Sequence, residues 1–215
     1  MSDREPVNIM GVIAFPNPNK DERVIRFIDS EYHTLFTIKD GESIVITRFD
    51  GEKMVFPCKY IDDCHVCIGN SAYHICEFAE MQERNGNTYV PSAPKISDEI
   101  CTYEIYQIPA TADVDYYFRS YAAAKGKLRS ADYQRSYAGM YAKGNSLEDL
   151  WAKHNRDSRP FAHRMRSMSV SDIVVLTQGG RKTAYYADTI GFKKAPEFLA
   201  QQRAQKKHKE RGEAR

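Results

Sequence analysis

Between residues 24 and 56 the chain breaks into short β-branched and aromatic runs, 24–28, 34–38, 43–49 and 53–56, with polar residues between them. Asp40-Gly41 and Asp50-Gly51 separate the last three runs, and Asp-Gly between apolar runs supplies the positive φ angles of a tight hairpin. An antiparallel meander of three to five strands is predicted. The period then changes: Ala72, Ile75, Cys76 and Ala79 recur at three-and-four spacing, which predicts a helix capped by Ser71 and ended by Asn85-Gly86. Ahead of the meander, residues 1–22 are interrupted by Pro6, Pro16 and Pro18. Their apolar segment 9–15 either adds an edge strand or stays loose.

Residues 89–97, with Pro91 and Pro94, read as a linker. Beyond it a strand is predicted over 100–108. Asp113 can cap a helix with Val114, Tyr117, Phe118, Tyr121 and Ala122 on one face, closed by Gly126. A strand follows over 133–141. Ser146 with Asp149 forms a capping-box-like start for a short helix whose stripe is Leu147, Leu150, Trp151 and His154, ending before Pro160. Residues 173–176 form a continuous apolar run, which suits a strand buried on both faces. Gly179-Gly180 turns the chain, residues 183–188 return, Gly191 breaks the strand, and Pro196 starts a closing helix where its missing N–H costs nothing. Val174, Val175 and Leu176 are expected in the core, with Phe192, Phe198 and Leu199 packed on the same sheet. Beyond Gln202 the basic residues have no apolar face and are expected to fray.

The fold class expected is α+β: an N-terminal antiparallel β-meander with one helix, and a C-terminal mixed unit closed by a hairpin and a helix. The divisions are 1–22, an irregular segment; 23–88, the meander and its helix; 89–97, the linker; 98–202, the second unit; and 203–215, a basic tail.

The stretch from Ser167 to Ala200 carries a recognisable pattern in Ser167, Ser169, Val170, Ser171, Asp172, Val174, Val175, Leu176, Thr183, Ala184, Tyr186, Asp188, Gly191, Phe192, Pro196, Glu197, Phe198 and Leu199. It resembles the signature of the YodL-like domain. Residues 103–108 and 147–151 resemble that family too, so the resemblance covers 100–199, and residues 73–80 with 83–86 resemble a small companion domain found before such domains. The resemblance implies a protein of a conjugative or other mobile element of gut bacteria, with no assigned catalytic residues.

Charge divides the chain. Residues 1–95 hold 10 Lys and Arg against 15 Asp and Glu, and residues 96–215 hold 21 against 14, within a formal net charge of +2. Two such halves attract each other, or the basic one faces a polyanion. No apolar run approaches membrane length, and residues 7–15 are too short and lack the basic flank of a signal peptide, so a cytoplasmic protein without membrane contact is expected. Five cysteines, an odd number, fit reduced thiols rather than a secreted disulfide framework.

Candidate chemistry is sparse. Cys58, Cys64, Cys67, His74 and Cys76 offer soft-metal ligands within one short segment. A helix from Ser71, at 100° per residue, would hold His74 and Cys76 about 200° apart, so zinc is not expected and no cofactor is. The Ser167, Ser169, Ser171 and Asp172 group has no histidine fixed nearby as a base, so capping and turn roles are expected for it. Ten of fourteen tyrosines lie in the basic half. Lys125, Lys127, Arg129, Arg135, Arg156, Arg159, Arg164 and Arg166 are candidate contacts to nucleic acid or a partner, with Tyr186 and Asp188 as a polar pair on the return strand. With no catalytic set, a non-enzymatic interaction protein is expected, binding a host or element protein and in one form blunting a host defence nuclease. Nucleic-acid binding is the alternative, and a zinc-dependent or hydrolytic enzyme a distant third.

Overall fold

The structure, a computed structural model, describes residues 7–9, 12–14, 23–93 and 100–213. It is α+β, built on two five-stranded sheets with every strand pair antiparallel. Strands β1 (Val7–Ile9) and β2 (Val12–Ala14) pair with each other. Strands β3 (Val24–Ile28) and β4 (Thr34–Lys39) form a second ribbon. The first large sheet contains β5 (Ser43–Thr47), β6 (Lys53–Tyr60), β7 (His65–Ile68), β8 (Ser71–His74) and β9 (Thr88–Pro91), in the order β8-β7-β6-β5-β9. Helix α1 (Ile75–Asn85) packs over β3, where Phe27, Phe78 and Tyr89 meet edge to face or tilted.

Two sequence expectations change here. Ser71 begins a strand rather than a helix. Gly69-Asn70 is a two-residue hairpin turn between β7 and β8, and helix α1 starts only at Ile75, with His74 as its N-cap. The apolar period from Ala72 to Ala79 begins about one turn ahead of the helix, because pairing with β7 holds Ser71–His74 extended. The expected linker also begins as strand β9, whose Val90 lies opposite Val45 of β5; residues 94–97 of that linker lie outside the described residues. So do all of 1–22 apart from β1 and β2.

The second sheet has the order β11-β10-β12-β13-β14, with β10 (Cys101–Gln107), β11 (Gln134–Met140), β12 (Ile173–Gln178), β13 (Arg181–Ala187) and β14 (Phe192–Lys194). Strand β12 sits in the middle and is covered on both faces. Ile173 and Val175 join Ala184, Tyr186, Phe198 and Leu199 under the closing helix α4 (Pro196–Glu213). Val174 points the other way, among Tyr103, Ile105, Tyr137 and Leu150. Period-two alternation therefore divides the apolar run between two cores. Leu176, expected in the core, is only half-buried; it lies on the second face with Phe192, which packs on the same sheet as expected, against Trp151 of helix α3 (Leu147–Asn155). Ser146 caps α3 through a capping box with Asp149, as its sequence predicts.

The helix expected from Asp113 does not form. Phe118 is left-handed, at φ 57°, and tertiary contacts take the backbone donors that a helix would use. Phe118 N–H donates to Ser171 Oγ and Tyr121 N–H to Asp188 Oδ1, leaving one short turn, α2 (Tyr121–Ala124). The basic tail departs in the other direction, because α4 runs on to Glu213. Its packed first turns supply the nucleus, and the Arg, Ala, Gln and Lys that follow have high helix propensity.

Val175 is fully buried. Val175→Asp should cost several kcal/mol, a large share of the roughly 5–15 kcal/mol that holds a domain together, and urea unfolding would show it as a large fall in midpoint.

Candidate partner-binding seam

The two sheets meet along a seam. Met140 and Ala142 of the second half are buried in the first core, and Phe49 of the first half packs into the second. At its centre Glu83 of α1 accepts from Ser30 N–H (3.2 Å) and Ser30 Oγ (2.8 Å) and pairs with Lys153 Nζ of α3 at 2.8 Å. The two charged side chains are only 12% and 11% exposed. Tyr137 OH donates to the Glu83 carbonyl, Arg135 donates to the Phe49 carbonyl, and Arg156 pairs with Glu31 at 2.7 Å. The acidic and basic halves thus attract each other in detail.

Beside this pair lies a groove of about 600 Å³, walled by Ser30, Glu31, Glu80 and Arg84 from the first half and by Arg156, Arg159 and Phe161 from the second. A second hollow of about 350 Å³, with Arg48, Asn87 and Arg164, opens on the other side of Phe161. Phe161 divides the two. It is buried in a left-handed conformation, at φ 62°, which costs a non-glycine residue of order 1–3 kcal/mol and persists only where surrounding packing dictates it. That packing comes from Phe49 at 5.0 Å and Tyr137 at 6.0 Å. Gly86 lies next to the ring and is itself left-handed, at φ 63°, as the C-cap of α1. Arg159 lines the groove, and its Nε is buried and without a hydrogen-bond partner among the described residues. Arg164 stacks over the Phe161 ring at 5.9 Å.

Behind the groove His154 is fully buried, with Nε2 2.8 Å from Tyr103 OH. Burial, then the charges of Lys153 and Arg159, push its pKa down to about 3.

The other predicted basic residues do not gather into one surface. Lys127 pairs with Asp115 and Arg135 with Glu104, while Lys125 and Arg129 are exposed on the far segment after α2. Arg166 makes a two-pronged pair with Asp172 and stacks over Tyr117 and Phe118. Asp172 also accepts from Gln107 Nε2 and Ser169 N–H; burial pushes its pKa up, and these donors, Arg166 foremost, push against it. Tyr186 donates to the Arg119 carbonyl, and Asp188 holds Tyr121 N–H. Ser171, left-handed at φ 79°, accepts from Phe118 N–H at Oγ and from Tyr133 OH at its carbonyl. The signature's polar residues therefore tie the segment between β10 and β11 onto the second sheet.

The cysteines also differ from expectation. Because α1 starts at Ile75, His74 and Cys76 are not on opposite sides of a helix. His74 Nδ1 lies 2.8 Å from Cys76 Sγ. Cys58 is buried on β6, which raises its pKa to about 11, Cys67 Sγ donates to Gly69 O, and Cys64 is exposed. The described group of three that could converge on an ion is Asp29, Glu31 and His33. Asp29 Oδ1 there accepts two backbone N–H groups, Oδ2 meets His33 Nδ1, and Glu31 is paired with Arg156.

Comparison with known proteins bears on one wall of the groove. Residues 102–198 match the YodL-like domain family. That stretch runs from β10 into α4 and includes the wall formed by Arg156, Arg159 and Phe161; the wall from Ser30 to Arg84 lies outside it. The YodL-like family is not a known enzyme family. No curated protein and no solved structure matches the chain. Among the described residues no helix is long and apolar enough to cross a membrane.

Two measurements check the seam. Glu83→Leu strands the Lys153 charge and should cost about 3–5 kcal/mol, of which Glu83→Leu with Lys153→Met recovers a large part; urea unfolding of the three proteins reads the difference. Folded His154 stays neutral down to about pH 3 whereas an unfolded histidine protonates near 6.5, so the unfolded state gains as pH falls from 6.5 toward 3. From pH 6.5 to 5 this should remove roughly 2 kcal/mol, and His154→Gln should flatten that slope.

Proposed function

We propose that this protein is a non-enzymatic interaction protein of a mobile element, and that it takes an acidic segment of a protein partner along the seam groove. The observation that carries this reading is a groove flanked by Arg84, Arg156 and Arg159, in which arginines outnumber the acids left without a partner. A carboxylate from a partner would meet these guanidinium groups with charge-assisted hydrogen bonds. Once Lys153 is paired with Glu83 and Arg156 with Glu31, Arg84 and Arg159 face only Glu80 inside the groove, and Arg164 adds to the excess next door. Counter-defence, by docking on a host nuclease complex, is the role the family resemblance favours.

Nucleic-acid binding is the second reading, supported by the exposed Arg203, Lys206 and Lys207 on the outer half of α4. Affinity capture from host lysate, with and without nuclease, separates the two. A protein that survives nuclease treatment and is lost at least about tenfold with Arg159→Glu and Arg164→Glu is the expected result. Capture that disappears with nuclease and with Lys206→Ala and Lys207→Ala would replace the first reading by the second.

A further inference from the structure

Away from the seam, the start of α1 places a base beside a thiol. Cys76 Sγ is 2.8 Å from His74 Nδ1, and the same Nδ1 accepts Cys76 N–H at 3.2 Å. A backbone N–H can only donate, so Nδ1 is the unprotonated nitrogen of this imidazole and its lone pair faces both donors. His74 is held in place from two sides. It caps α1, and its ring meets that of His65 edge to face at 5.1 Å, with His65 anchored through Nδ1 on Asp62 at 2.9 Å. Tyr32, an exposed residue in a left-handed turn, has its pKa raised, first by a hydrogen bond with Cys76. Cys76 itself is half-buried, unlike Cys58 and Cys101, which are buried.

We infer that Cys76 is a modification site at which a small soft electrophile is captured on Sγ while His74 takes the thiol proton. In the step, the sulfur lone pair forms an S–C bond and the bond from carbon to the leaving group breaks. The leaving group departs with that electron pair, and the S–H proton passes to His74 Nδ1 and then to solvent; nothing is oxidised or reduced. The other cysteines lack this arrangement. Cys58 and Cys101 are buried, Cys67 Sγ is turned to the Gly69 carbonyl, and Cys64, though exposed, has no histidine partner among the described residues.

Iodoacetamide labelling of the full chain at neutral pH, followed by peptide mass spectrometry over time, tests the assignment. Cys76 should react at least about tenfold faster than the more exposed Cys64, a modest demand on a positioned base, which contributes roughly 10²–10⁴ in enzymes. His74→Asn keeps an N-cap acceptor but removes the proton acceptor, so Cys76 should slow to the rate of Cys64 with the melting temperature unchanged. Cys64 reacting as fast as Cys76 in the wild-type protein overturns the inference without any variant, and so does an unaltered Cys76 rate in a folded His74→Asn protein.

Discussion

Glu83 and Lys153 meet with little access to water, one from the helix of the first half and one from a helix of the second. Removing two charges from water costs several kcal/mol each, and the mutual attraction offsets this only when further hydrogen bonds occupy the remaining sites. Here Ser30 supplies two donors to the carboxylate. The pair therefore works as a key: it is favourable in one arrangement of the two sheets and unfavourable in any arrangement that separates the partners. Neighbouring contacts share that arrangement, among them Tyr137 on the Glu83 carbonyl and Phe161 between Phe49 and Tyr137. The groove exists because the key is turned, since its walls come from opposite sides.

The polar residues of the YodL-like signature have a different task. Ser171, Asp172, Tyr186 and Asp188 spend their hydrogen bonds on backbone groups and on Arg166 and Gln107, fastening an irregular stretch over one face of the sheet. Buried polar groups of this kind favour one conformation because any other leaves them unsatisfied. Such a pattern marks a scaffold, and the groove lies elsewhere, at the seam.

Local chemistry made much of the fold readable. The Asp-Gly turns, the Ser146 and Asp149 capping box, Gly86 as a left-handed C-cap and the doubly buried run ending at Val175 all act through neighbours in sequence. These determined the meander, the end of α1, the start of α3 and the central strand of the second sheet. Where tertiary contacts compete with local preference, sequence periodicity misleads: Ser171 and Asp188 capture the donors of a helix at 113–122, and pairing in the sheet makes a strand of Ser71–His74. Tertiary structure alone decided which of the basic residues are spent in ion pairs, that Glu83 finds Lys153 seventy positions away, and that His74 and Cys76 touch. The physical reason is range. Turn and cap energies depend on a few adjacent residues, whereas the partner of a charge or a thiol is set by how whole sheets pack.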